Sequence, residues 1–322
     1  MRKREFIMLL GGAAAWPLAA GAQQQALRSI GVLWPASAPP PAPRMESFRL
    51  ALKQLGFVEG QNLTIQLRYA EKGPQQLPEL AAELVRAKVD VIAAFGDFAP
   101  KLAKEATTTI PIVAISDDIL GTGIINSLAR PGGNVTGLTI MSPELSAKRL
   151  EILREMVPGM SYVAVLSDPT TGRTQLSTAE TAVRTMDLKL EVMEVRSRDD
   201  IVGAFRAARN KGVQAVNVLA SPILSQLFRP IIDASAEYAL PTIYQWKEHA
   251  DAGGLISYGP SLAAMWRQSG TIVVKILNGS KPEDLPFEQP TKFELVVNAR
   301  TADALGVRIP PSVLVRADEV IE

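Results

Sequence analysis

At 322 residues the chain is long enough for two domains of ordinary size, each able to bury its own core. Its 34 basic and 33 acidic residues leave a formal charge of +1, with no dense basic run after the first few positions, which argues against nucleic acid or an anionic membrane as partner. There is no cysteine and one histidine, so disulfides, thiol nucleophiles and the usual His/Cys metal sites are excluded.

Residues 1–22 read as a cleavable export signal. Arg2, Lys3 and Arg4 form a positive start, residues 6–20 an apolar run, and Ala20-Gly21-Ala22 a small-residue cleavage site. A run of 15 residues diluted by Gly11, Gly12 and Pro17 is short for a bilayer span, which needs roughly 20. Lys3-Arg4 resembles a twin-arginine signal with Lys in the first place, so Tat and Sec export both stay open. Three basic residues and one acidic leave with the segment, taking the charge from +1 to about −1. Without a cysteine to carry a lipid, the mature chain is expected in the periplasm, not inserted in a membrane.

In chain order, the apolar run 29–34 is expected as a strand buried on both faces. The loop 35–43 holds five prolines and is expected to be stiff and exposed. A helix over 44–55 follows, with Met45, Phe48, Leu52 and Leu55 on one stripe and Gly56 as its stop. Residues 62–69 alternate like a strand nearer an edge, 77–87 form a helix, 89–95 a buried strand, 101–107 a helix and 110–115 a strand. Pro131 to Asn134 is a turn cluster, and 135–140 a strand leaving the first lobe.

The series then restarts. Residues 143–156 are an amphipathic helix, with Leu145, Leu150, Leu153 and Met156 inward and Lys148, Arg149 and Glu151 outward. Strands at 162–166, 189–195 and 213–219 alternate with helices, including one over 200–211 and a single one over 223–238. Residues 243–261 give a short strand, one helical turn, Gly253-Gly254, a second strand and a Gly-Pro stop. A helix over 265–277, a loop over 282–290, a strand over 293–297, a short helix ending at Gly306 and an extended stretch over 310–322 complete the chain. Alternating strands and helices in two halves define the fold class as α/β, with two doubly wound parallel-sheet lobes. The first lobe is placed at 23–137 with roughly 259–284, the second at 138–258 with roughly 285–322.

Several segments resemble a known family: Arg4-Glu5-Phe6-Ile7, Leu55-Gly56-Phe57-Val58-Glu59-Gly60-Gln61-Asn62, Ala129-Arg130-Pro131-Gly132-Gly133-Asn134-Val135-Thr136-Gly137, Ala252-Gly253-Gly254-Leu255-Ile256-Ser257-Tyr258-Gly259-Pro260-Ser261 and Gln289-Pro290-Thr291-Lys292-Phe293. The chain is similar over nearly its whole length to the ABC-transporter substrate-binding proteins of the type I periplasmic binding protein fold, the group that includes the TrpX-like members. The resemblance implies lobes joined by a multi-strand hinge, a solute held between them and closure read by an inner-membrane permease. Asp97-Phe98 and Asp117-Asp118 depart from it, since many members have small residues there.

Open α/β sheets bind ligands at the carboxyl ends of their strands. Three chemistries meet at those positions here. Gly96, Ser116, Ser167 and Ser221 offer backbone N–H groups and hydroxyls at helix starts, as plain caps or as a seat for an anion. Asp97, Asp117, Asp118, Asp168 and Glu248 offer negative charge for an amine or for hydroxyls, or are solvated loop carboxylates. Trp34, Phe98, Tyr244, Trp246 and Tyr258 offer ring faces for a planar or apolar group, or are core aromatics at strand ends. The candidate ligand-binding set is therefore Trp34, Gly96, Asp97, Phe98, Ser116, Asp117, Asp168, Ser221, Tyr244, Trp246, Glu248 and Tyr258.

Catalytic signatures are weak. His249 is expected to be exposed on a one-turn helix, and neither a Gly-x-Ser-x-Gly elbow nor a phosphate-binding glycine loop occurs. No catalytic residue, metal or cofactor is assigned. The expectation is a monomeric, exported solute-binding protein of an ABC importer, not an enzyme, that captures an amino-acid-like or aromatic carboxylate solute by hinge closure. A periplasmic sensory subunit for a membrane receptor and a hydrolase using cleft carboxylates are the alternatives.

Overall fold

A computed structural model describes residues 27–169 and 173–322; the expected export signal lies outside the described residues. In the first lobe β1 (Arg28–Trp34), β2 (Leu63–Tyr69), β3 (Val91–Phe95), β4 (Ile112–Ser116) and β5 (Val135–Thr139) form a sheet of order β2-β1-β3-β4-β5. Every pairing is parallel, with Ile30 opposite Val91 and Ala114 opposite Gly137. The continuous apolar runs of β1, β3 and β4 sit inside because helices cover both faces, whereas alternating β2 takes an edge. Gly137 has φ +145°, and a Cβ there would stand 2.0 Å from the carbonyl oxygen of Ala114, so only glycine allows β5 this approach to β4. Helices α1 (Ala42–Gln54), α2 (Leu77–Arg86) and α3 (Phe98–Ala106) flank the sheet.

The second lobe begins with α4 (Ser142–Met156) and continues through β6 (Tyr162–Ser167), α5 (Arg173–Thr185), β7 (Lys189–Glu194), α6 (Arg198–Asn210), β8 (Ala215–Val218), α7 (Pro222–Gln226), α8 (Phe228–Glu237), β9 (Thr242–Tyr244), α9 (Lys247–Asp251) and β10 (Ile256–Pro260). The chain then returns to the first lobe, where α10 (Leu262–Leu277) packs along α1 and against β3 and β4. It crosses back to end with β11 (Phe293–Asn298), α11 (Ala299–Ala304), α12 (Pro311–Leu314) and β12 (Glu319–Ile321). The second sheet runs β12-β11-β10-β9-β8-β6-β7, with β11 antiparallel to β10 and the other pairs parallel.

The chain thus passes between the lobes at 140–142, at 260–262 and between Glu288 and Phe293. The last passage is tied to β5: Thr139 N donates to Glu288 O at 3.0 Å, and the Thr136 hydroxyl donates to Leu285 O at 2.8 Å. Two apolar clusters fill each lobe, and that between the first sheet and α1/α10 extends across the cleft to Ala220 and Trp246.

Local expectations change in five places. The single helix over 223–238 is broken at Leu227: Pro230 lacks an N–H and its ring opposes the carbonyl of Gln226, so α7 ends there and α8 starts afresh. The stretch 310–322 is not extended throughout, because Pro310-Pro311 starts the short helix α12 and β12 then pairs with β11. The proline loop is only partly exposed, with Pro35, Ala36 and Pro40 buried. Arg149 lies inside rather than outside α4, and His249 is buried, with the consequences given below.

Candidate functional site

The carboxyl ends of β1, β3 and β4 face those of β6, β8 and β9 across the cleft. Between them lies a cavity of about 40 Å³, lined from the first lobe by Trp34, Arg44, Phe95, Gly96, Asp117 and Trp266 and from the second by Ser221, Pro222, Ser225 and Trp246. One ordered water needs about 10–15 Å³ and a small-molecule pocket usually offers ~300 Å³ or more, so the lobes stand close together. Gly96 marks the contact: with φ +77°, a Cβ there would be 2.8 Å from the Pro222 ring. Arg44 Nη2 donates to Ser225 Oγ at 3.0 Å and Gln226 Nε2 to Ala38 O at 2.6 Å, both from one lobe to the other.

One wall is aromatic. The Phe95 and Trp266 rings stack at 4.0 Å and 5°, and Trp34 meets each at 5.9 Å and a steep angle. Trp34 is buried, and its indole N–H has no hydrogen-bond partner among the described residues. Trp246 closes the space from the second lobe.

The opposite chemistry is a set of buried carboxylates. Asp97 Oδ1 accepts from the Ser116 hydroxyl at 2.6 Å and from Asp118 N at 3.1 Å. Asp168 Oδ2 accepts from Ser221 Oγ at 2.8 Å, while Ser221 Oγ caps α7 by accepting from Leu224 N at 2.9 Å. Asp117 Oδ1 accepts from Ser142 Oγ at 3.2 Å, and its backbone oxygen from Ser142 N at 2.9 Å, which joins β4 to the start of α4. Burial, and then the neighbouring Asp97, push the Asp117 carboxyl well above the usual carboxylate range, against the pull of Ser142 and Arg149.

Arg149 is fully buried. Its Nε donates to Tyr258 O at 2.9 Å, its terminal nitrogens have no hydrogen-bond partner among the described residues, and burial brings its guanidinium down to about 9 against the raising influence of Asp117. It stands four residues from both Leu145 and Leu153, on the apolar stripe of α4, and this spacing was the sequence signal for an inward side chain. His249 is buried against Phe228, ring centroids 5.1 Å apart and nearly parallel, and desolvation with Arg44 and Arg149 nearby lowers it to about 3. Both corrections have one cause: a charged or polar neighbourhood in sequence does not reveal which turn of a helix meets the sheet.

Of the candidate residues, Trp34, Gly96, Asp117, Ser221 and Trp246 line the cavity, with Asp97, Ser116 and Asp168 buried beside them. Glu248 is exposed near Arg44, whose guanidinium burial lowers and Glu248 raises. Phe98 opens α3 and is 42% exposed. Tyr244 packs in the second lobe's core edge-on to His249, and the Tyr258 ring lies on Phe293. Arg44, Ser225 and Trp266 were not among the candidates. Arg44 follows the first strand at the start of its helix, a cleft position in any open α/β sheet, and this was the available signal. Among the described residues no group of three His, Cys, Asp or Glu is placed to hold a metal, and no helix is long and apolar enough to cross a membrane.

Two α/β lobes crossed by three chain passages, with a lined cavity between their strand ends, define the type I periplasmic binding protein fold. The family profile of the ABC transporter substrate binding proteins matches residues 29–321, and the chain belongs to that family. It is similar to a tyrosine-binding protein of Clostridioides difficile, 25% identical over 273 residues that cover 82% of this chain and 76% of that protein. Its fold is shared with an ABC domain of Streptococcus pneumonia solved in complex with L-Trp, at TM-score 0.83, 24% identity and coverage of 91% and 99% of the two chains. It is shared also with the ligand-free, open structure of a substrate binding protein with adhesive properties from Clostridium difficile, at TM-score 0.63, 21% identity and coverage of 91% and 99%.

Proposed function

We propose that this protein is the exported solute receptor of an ABC importer, and that it captures an amino-acid-like solute with an aromatic or apolar body between its lobes and delivers it to an inner-membrane permease. One observation carries the reading: a single cavity is lined by aromatic rings, a carboxylate, a guanidinium and hydroxyls drawn from both lobes. Such a set suits a small molecule with an apolar body and a charged head. A tyrosine-binding relative and the L-Trp complex of a protein of the same fold support that class of solute.

Because about 40 Å³ is enclosed, entry must start from lobes further apart, and the solute then favours closure by touching both. The better superposition on the L-Trp complex than on the ligand-free open protein supports taking this arrangement as closed. The passages at 140–142, 260–262 and 289–292 are the proposed hinge, a few residues on from the expected lobe bounds at 137/138, 258/259 and 284/285. The export-like residues 1–22 support a periplasmic location, and a monomer suffices for the mechanism.

The test is a titration of the mature chain with aromatic and branched amino acids and with aromatic carboxylates, read by intrinsic fluorescence and calorimetry. Trp34, Trp246 and Trp266 all line the cavity, so binding is expected to change their emission. Small-angle scattering should show compaction on saturation. Absence of binding by every member of both classes would overturn the solute assignment. Turnover of a bound compound would replace the receptor with a hydrolase, and delivery to a receptor kinase rather than a permease would make it a sensor.

A further inference from the structure

The cavity carries two ionisable groups of opposite kind that do not pair with each other. Arg44 and Asp117 both line it, yet no ion pair among the described residues includes either. A guanidinium has five N–H donors, and Arg44 uses one in its bond to Ser225. The Trp34 indole N–H, a pure donor, is buried on the same cavity wall without a partner. Asp117 spends Oδ1 on Ser142, and no hydrogen bond reaches its Oδ2 among the described residues. Buried donors and acceptors are ordinarily satisfied, so unspent donors on Arg44 and Trp34 and an unspent acceptor on Asp117 describe the polar groups of what fits between them.

Resting on the receptor reading above, we propose that the cavity is a directional seat for a zwitterion: Arg44 and the Trp34 indole N–H receive the solute carboxylate, and Asp117 receives its ammonium group. The solute's body then lies along the Trp266 and Trp246 faces. An ammonium group at Asp117 offsets the repulsion from Asp97, which favours the ionised carboxylate in the bound state. Arg149, held on Tyr258 O behind Asp117, acts as a positioning residue for that end.

The test uses three probes with one ring: L-tyrosine, tyramine, which lacks the carboxylate, and 3-(4-hydroxyphenyl)propionate, which lacks the ammonium group. Dissociation constants are measured by tryptophan fluorescence and competition on the wild-type chain and on Arg44→Met, Trp34→Phe and Asp117→Asn, each checked by thermal melting. On the wild type each truncated probe should bind roughly tenfold or more weakly than L-tyrosine, as expected for loss of a charge-assisted contact. Arg44→Met should weaken L-tyrosine and the propionate by roughly tenfold or more and leave tyramine within about twofold. Asp117→Asn should weaken L-tyrosine and tyramine and leave the propionate unchanged or tighter. Trp34→Phe keeps the ring and removes the donor; it should follow Arg44→Met with a smaller effect, and it carries the carboxylate arm should Arg44→Met not fold. Equal losses for all three probes, or the reverse pattern, would overturn the orientation while leaving amino-acid capture intact. A wild type that binds none of the three, nor any amino acid or aromatic carboxylate of the titration above, would overturn both.

Discussion

At the cleft edge of the first lobe the strands end in rings: β1 delivers Trp34, β3 delivers Phe95, and α10 adds Trp266 stacked on it. At the facing edge of the second lobe they end in Asp168, Ser221 and Trp246, with hydroxyls already engaged in hydrogen bonds and helix capping. The first lobe offers a preassembled apolar wall with Arg44 and Asp117 set into it. The second offers one ring, small side chains and a flush contact through Pro222 on Gly96. On the proposed reading the lesson is a division of labour: one lobe holds the recognition chemistry, and the other completes the enclosure.

If the first lobe is the rigid partner, its frame should tolerate least. Gly137→Ala places a Cβ against the backbone of Ala114, which cannot step aside within a parallel sheet. A loss of ~3 kcal/mol or more is expected, read as a fall in the denaturation midpoint or as insoluble protein. The second lobe meets its challenge in acid. His249 is held near 3 when folded and titrates near 6.5 when unfolded, so the unfolded chain takes the proton first. Its contribution is complete above pH 6.5 and is lost as pH falls towards 3, at up to ~1.4 kcal/mol per pH unit. His249→Phe preserves the stack on Phe228 and should flatten that part of the stability–pH curve when urea melts at pH 7 and 4.5 are compared.

A smaller effect of opposite sign is expected at Asp117. Its folded carboxyl is raised, so the folded chain holds a proton that the unfolded chain has released, and stability falls as pH rises from about 4 through the folded value. Asp117→Asn removes that loss and should stabilise the protein at pH 7, even as it weakens amine binding. Thermal melts across pH should show the gain growing upward from pH 4. The smallest effect belongs to the surface of the second lobe. Arg316 and Glu155, 2.7 Å apart and each more than a third exposed, form an ordinary screened pair, and Arg316→Ala should change stability by less than ~0.5 kcal/mol.

The alternation of apolar runs and amphipathic helices, punctuated by Gly and Pro, made both lobes legible, because a strand buried on two faces has few ways to be written. The strand order and the antiparallel β11 were not, since pairing depends on where long-range packing places an element rather than on its own residues. The cleft was legible at Trp34, Asp117, Ser221 and Trp246, which stand at strand ends. Arg149 and Trp266 were not, because each sits in mid-helix and reaches its place only through the helix's rotation against a sheet. Phe98 and Tyr244 show the converse: a strand-end position alone does not say whether a ring turns to the cleft, the core or solvent.

Helix α10 has a consequence for how the molecule comes into being. The five strands of the first sheet are complete by residue 139, yet the helix that covers them beside α1 starts at Leu262. During synthesis the face bearing Ile30, Val32, Val91 and Val113 must wait until nearly the whole second lobe has been made. The earlier half of the gene product therefore cannot close its core until most of the later half exists, through a contact between segments some two hundred positions apart, and until then it exposes the kind of apolar surface that holdases recognise.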